Sequence, residues 1–319
     1  MKNALALKPD ALPTPKDEAW KYTNLPRAIP KNITSQGVDK EIVIHKNGGQ
    51  PGAQLEEILF TGLDKTLHTP VLSITLEQGV EFTLVERHEG TGSYWKNMVT
   101  NIVLKPGAIF HHIRIQEDGI EGVHTNMVNI KLGRDATYQG FALNAGAKLS
   151  RLQAHATITG PNAHCSFDGI NIFKGDQHGD TTILIEHQAP NCTSNQFYRT
   201  VLAEKARGVF QGKVYVHQAA QKTDGYQLSN ALLLSDQAEM DTKPELEIYA
   251  DDVKCSHGAT TGQLDDEPLF YLRSRGIDLK TARMLLVQAF VDEVADKLAD
   301  ESVQNSVKER TSQWLQSVL

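Results

Sequence analysis

GAIFHHIRIQEDGIEGVHTNMVNIKLGRDATYQGFALNAGAKLSRLQAHATITG, the stretch from Gly107 to Gly160, carries the pattern that decides the fold. Gly107, Gly133 and Gly146 each open a run of strand-forming residues. The steps between turn glycines are 28 from Gly79 to Gly107, 26 to Gly133, then 13 to Gly146 and 14 to Gly160. All are multiples of one unit of 13 to 14 residues. A recurring turn glycine followed by a strand reads as coils stacked into a β-solenoid, each burying its face on the next. A β-sandwich with frequent turns is the alternative. The glycine phase favours the solenoid.

Outward from this stretch, strand-like text runs from about residue 41 to 264. Glu41–His45, Val71–Leu76 and Glu81–Val85 are rich in β-branched residues and bounded by Gly, Asn or Pro. No helical period interrupts them, which argues against a βαβ sheet. The period changes after residue 265. Leu279, Ala282, Leu285, Leu286, Ala289, Phe290 and Val294 follow helical spacing, with Asp278 placed as N-cap. Val303, Val307, Trp314, Leu315 and Val318 make a second such segment. The reading is mainly β, in three parts: an arm over residues 1–30, a β-helix core over 31–264 and a small helical domain over 265–319. Five of the twelve prolines fall within residues 1–30, which predicts an extended arm, with Trp20 and Tyr22 tacking it to the core.

Among 319 residues there are 32 basic and 39 acidic side chains, a formal charge of −7. That balance disfavours nucleic acid as the main partner. The apolar stretch before Pro9 is too short for a signal peptide, and no window is long enough for a membrane helix. Cys165, Cys192 and Cys255 are sparse, odd in number and without a CxxC, as for reduced thiols in a cytoplasmic protein.

Most chemical motifs fail. Gly208–Val214 is one residue short of a phosphate loop and has Val where Mg²⁺ needs a hydroxyl. His111 and His112, adjacent on a strand, point to opposite faces and cannot readily share one ion. His164, His178 and Cys192 lie 14 apart, so equal rungs would stack them as a ladder able to hold a soft metal; the mixture of 13 and 14 in the glycine steps would break it. Asp241, Glu245, Glu247, Asp251 and Asp252 form an acidic group whose ordinary role is solvation. Cys255 and His257 stand two apart, on one side of a strand, where both can reach one metal. A buried thiol beside a hydrogen-bonded imidazole is the plainer reading.

The run from Ser235 to Ile248, continuing through Tyr249-Ala-Asp-Asp-Val-Lys-Cys255-Ser-His257-Gly-Ala-Thr260 and Leu269-Phe270-Tyr-Leu272-Arg-Ser-Arg-Gly-Ile277, resembles the signature of the SufB/SufD family of iron–sulfur cluster assembly scaffolds. Glu18-Ala-Trp-Lys-Tyr-Thr23 is similar to that family's arm. Cys-Ser-His-Gly-Ala matches the SufD form, whereas SufB members generally have Glu before a His-Glu pair.

The resemblance implies a right-handed parallel β-helix with a C-terminal helical domain and no catalytic turnover. It implies a heterodimer with a SufB-like subunit, each subunit docking one SufC-like ATPase through its helical domain; Leu269, Phe270, Leu272, Leu285 and Phe290 are the candidates for that contact. Cys255 and His257 are then candidates for a subunit interface where a transient iron–sulfur cluster forms from persulfide sulfur and iron, none being held stably by the isolated chain. Family members commonly carry a helical domain ahead of the arm; here the arm begins near Met1, which reads as a compact version. Two alternatives remain: a β-helix enzyme acting on polysaccharides, which needs clustered carboxylates, and a structural homodimer without metal.

Overall fold

The computed structural model describes residues 11–36, 41–47 and 54–319; the first ten residues of the arm lie outside them. Strands alternate between two parallel sheets. In one sheet, here sheet A, the register partners Trp95, Val123, Leu149, His178 and Arg207 step by 26 to 29 residues. Sheet B steps alike through Ile109, Thr137, His164 and Thr193. The fold is therefore a parallel β-solenoid. The 13-to-14-residue unit seen in the glycines is half a coil, the distance that carries the chain from one sheet to the other.

The corners explain why glycine was a partial signal. Gly79, Gly107, Asp135, Asn162, Asn191 and Lys222 all have φ between 55° and 69°. From Gly107 onward, each of these residues donates its N–H to a carbonyl of the following coil: Arg134, Pro161, Pro190, Gln221 and Asp252 in turn. The left-handed conformation costs little for Gly and is tolerated by Asn and Asp. The repeat thus continues through residues that a glycine count misses.

Between the sheets, side chains from alternate positions stack over their register partners. Leu104, Leu132 and Ile158 line one side, and Phe82 and Phe110 stack with ring centres 5.8 Å apart on the other. Outside sheet B, a second apolar layer holds the helical unit. Three helices follow the last strand: α2 (Asp266–Ser274), α3 (Leu279–Ala295) and α4 (Glu301–Gln316), N-capped by Asp265, Asp278 and Asp300. They are numbered after α1 (Leu25–Ala28) of the arm. Val287, Val291, Val294, Val303 and Val307 pack on Val85, Ile113, Phe141 and Ile170 of the sheet. The buried face of α3 is the valine face, with Ala282, Val287, Val291 and Val294 inward, and it leaves Leu285 and Ala289 exposed.

The arm departs from the extended form expected of it. Glu18–Trp20 is a 3₁₀ turn and α1 a single helical turn. Pro26 is compatible because it stands in the first turn, where its missing N–H has no helical partner to lose. Trp20 is buried against Trp95, Val123 and Leu149, with the Arg151 guanidinium 4.0 Å from its ring centre. Burying an indole in this way is worth about 3–5 kcal/mol. Buried Thr23 completes the attachment by donating to Asp180, which also accepts from Arg151.

The first inner coils hold an ionic group. Glu86 accepts from His112 at 2.7 Å and contacts His88 at 3.1 Å, all three side chains being buried. Burial opposes its ionisation, but His112, His88 and Arg114 together hold the carboxyl well below its usual range. Burial pushes His88 down to about 3 and His187 down to about 4. Both folded values lie below the unfolded value of about 6.5. The unfolded chain therefore takes up protons first, and stability is lost as pH falls from about 6.5 towards 3. Urea midpoints measured from pH 7.5 to 4 should fall steadily below pH 6.5; a flat profile would show that these imidazoles are not buried neutral.

Candidate functional site

The solenoid ends on strands Glu239–Ile248 of sheet A and Lys254–Gly262 of sheet B, and no described strand pairs with their outer edges. In the last step of sheet B, Gly225 lies opposite Cys255 and Gln227 opposite His257. Gly225 and Gln227 are buried and face the solenoid interior. Cys255 and His257 therefore occupy the inward register of the final coil, and no described coil covers them. Cys255 is half-buried and packs with Val214, Val216 and Leu246; His257 is exposed. A Cβ on Gly225 would sit 3.3 Å from the Cys255 sulfur, so the glycine leaves the space the thiol fills. Burial raises the Cys255 thiol above its ordinary value.

Beneath the pair runs a polar file that sequence reasoning missed. Gln196 and Gln227 stack under His257. Both amides are buried, and neither their oxygens nor their nitrogens meet a hydrogen-bond partner among the described residues. Ser194 lies in the Cys255 file and bonds the buried His187 at 2.9 Å. Burying so many unsatisfied amide groups is costly and unusual inside a solenoid. Only the register reveals this file, because its members lie about thirty residues apart in the chain.

Among the described residues there is no group of three or more His, Cys, Asp or Glu side chains able to hold a metal ion. Cys255 and His257 are two donors on one open end. They can supply part of a ligand set, which a second body must complete.

Other sequence candidates separate. His112 faces inward and His111 outward, where it meets Glu81 at 3.5 Å. The His164, His178 and Cys192 ladder does not form, because a 14-residue step crosses to the other sheet. His164 lies in sheet B beside Thr193, His178 lies in sheet A between Leu149 and Arg207, and Cys192 is buried in a corner. The acidic residues on Glu239–Ile248 are matched to the preceding coil: Asp241 to Arg207 at 2.6 Å and Glu247 to Lys213 at 2.5 Å. Of the candidate docking residues, Phe270 and Leu285 are 74% and 49% exposed, and Leu269 and Leu272 are partly buried. Phe290 instead packs on the solenoid beneath Arg199 and is not part of that free face.

The fold is a parallel solenoid, a column with a thiol and an imidazole at its last coil and a helical unit on its flank. The chain belongs to the family of the SufBD core domain of the SUF system for iron–sulfur cluster assembly, whose model matches residues 59–290. It is 37% identical, over 88% of its length and 65% of the relative's, to an iron–sulfur cluster assembly SufBD family protein of Synechocystis. It is 35% identical to the iron–sulfur cluster assembly protein SufD of Escherichia coli, over 76% of this chain and 58% of that one. Identity to the chloroplastic protein ABCI7 of Arabidopsis thaliana is 32%, over 75% and 51% of the two chains. The chain thus aligns with between half and two thirds of the length of these relatives. No helix among the described residues is long and apolar enough to cross a membrane.

Burial ranks the thiols. Cys165 and Cys192 are fully buried and Cys255 is half-open. Iodoacetamide at neutral pH, followed by intact mass measurement, should add one group to the folded chain, slowly and at Cys255. Three groups should add in denaturant. Fast triple labelling of the folded chain would contradict this arrangement.

Proposed function

We propose that this chain is a non-catalytic scaffold subunit of a cytoplasmic SUF-type complex, in which a SufB-like subunit stacks against its open coil and a SufC-like ATPase docks on its helical unit. The observation that carries this reading is the pair Cys255 and His257, held in the inward register of a final coil that no described strand covers. A nascent iron–sulfur cluster is the cargo. The thiol and imidazole supply some of its ligands or receive its iron, the partner supplies the others, and the isolated chain keeps no cluster. Among the described residues the outer edges of both final strands are unpaired, which favours a partner of the same cross-section that continues the column along them, with a gap at Pro244. In the absence of that partner, a second copy of the chain can take its place.

The exposed Phe270 and Leu285 favour the helical unit as the ATPase contact, with Leu269 and Leu272 beside them. Nucleotide-driven movement of two docked ATPases would strain the shared interface and expose its ligands. The carbohydrate-enzyme reading loses its support because Asp241 and Glu247 are ion-paired rather than gathered in a groove.

Co-expression with SufB-like and SufC-like partners tests this directly. His257→Ala should leave the complex intact while lowering its iron and acid-labile sulfide at least several-fold. Phe270→Asp should release the ATPase while keeping the SufB-like subunit. Normal cluster yield with both Cys255→Ala and His257→Ala would remove the site assignment, and failure of the native chain to bind either partner would remove the scaffold reading.

A further inference from the structure

The outer face of sheet B is apolar down one register column: Val85, Ile113, Phe141, Phe197 and Leu228. These side chains seat α3 and α4. Asp168 interrupts the column between Phe141 and Phe197. Its side chain is 13% exposed, and its charged partner is the Lys297 ammonium, 3.5 Å from Oδ1. No hydrogen bond reaches that oxygen among the described residues. Burial pushes the carboxyl up to about 6. A carboxylate so placed costs stability where an apolar side chain would add to it, as Phe141 and Phe197 do on either side.

Asp168 lies on the wall of a cleft of about 510 Å³ between sheet B and the turn joining α3 to α4. The adjoining column runs Thr83, His111, Gln139, Ser166 and Asn195, all lining the same cleft. At about 4.8 Å per coil, this makes a rail of hydroxyl, imidazole and amide groups roughly 19 Å long. Among the described residues lining the cleft, Lys297 is the one Lys or Arg, beside His111 and His164 and against the carboxylates Glu81, Asp168 and Asp300. Asp300 is already engaged in capping α4.

We propose that this cleft is a binding site for a small hydroxylated organic ammonium of the amino-sugar class. The ligand's ammonium meets Asp168, where the Lys297 ammonium now stands, and its hydroxyls bond to Gln139, Ser166 and Asn195. Phe141 and Leu298 provide apolar contact for the ring. The location is distinct from the open end that carries Cys255 and His257, so binding here and scaffold function are separately testable.

The whole chain is titrated with glucosamine, with glucose as the uncharged control, and followed by its thermal unfolding midpoint and by calorimetry. Glucosamine should raise the midpoint saturably and glucose should not. Asp168→Asn should weaken glucosamine binding at least tenfold. Lys297→Met should retain binding or strengthen it, because the competing ammonium is removed. Asp168→Leu should unfold at a higher temperature than the native chain and lose the response. No response of the native chain, an equal response to glucose, or an undiminished response in Asp168→Asn would each overturn the proposal. A loss of binding in Lys297→Met equal to that in Asp168→Asn would also do so, since the pair would then serve only to pin the helical unit to the sheet.

Discussion

In-register stacking is the constraint from which the rest of the structure follows. Each coil of the solenoid lays its inner side chains over the equivalent ones of the coil before, and the corner residues with positive φ bond to the coil after. A residue therefore inherits its surroundings from positions 26 to 32 residues away. Columns of Leu, Ile and Phe become core. A column that passes through Gln196 and Gln227 becomes a polar file, and it must end wherever the coils end. The thiol and imidazole at Cys255 and His257 are placed by that rule and not by any local motif geometry.

The same constraint makes the ends of the column unlike its sides. The flank of sheet B is closed by the helical unit, and part of sheet A by the arm through Trp20, Thr23 and the Glu18–Lys243 ion pair. Among the described residues, the outer edges of the final strands are left with unpaired backbone groups. Pro244 in the middle of Glu239–Ile248 lacks an N–H to offer, and such a residue is tolerated only at an edge. An uncovered end with a half-buried thiol is a liability for a lone protein and an asset for one member of a stacked pair.

Much of this was legible from residues alone. The glycine steps located the corners, β-branched runs located the strands, and the spacing after Asp278 located α3. The half-coil was misread as the whole one, because a turn occurs at both corners and sequence does not tell which turns stack. That error produced the false ladder of His164, His178 and Cys192. A proline count draws the arm too straight, because it ignores that Pro26 is acceptable in a first helical turn. The Gln196–Gln227 file and the misplaced Asp168 were invisible, because each is defined by neighbours a full coil away. The Cys255–His257 pair was found because its two members share one strand, where a spacing of two suffices.

Amide hydrogen exchange over residues 239–262, compared between the isolated chain and its complex with a SufB-like subunit, tests the central claim most directly. The account predicts fast exchange in the free chain at those alternate amides of Met240–Ile248 and Cys255–Gly262 that face the open edge, and strong protection of the same amides in the complex, with the inner coils unchanged. Protection appearing elsewhere on the column, with these two strands exchanging as before, would contradict it.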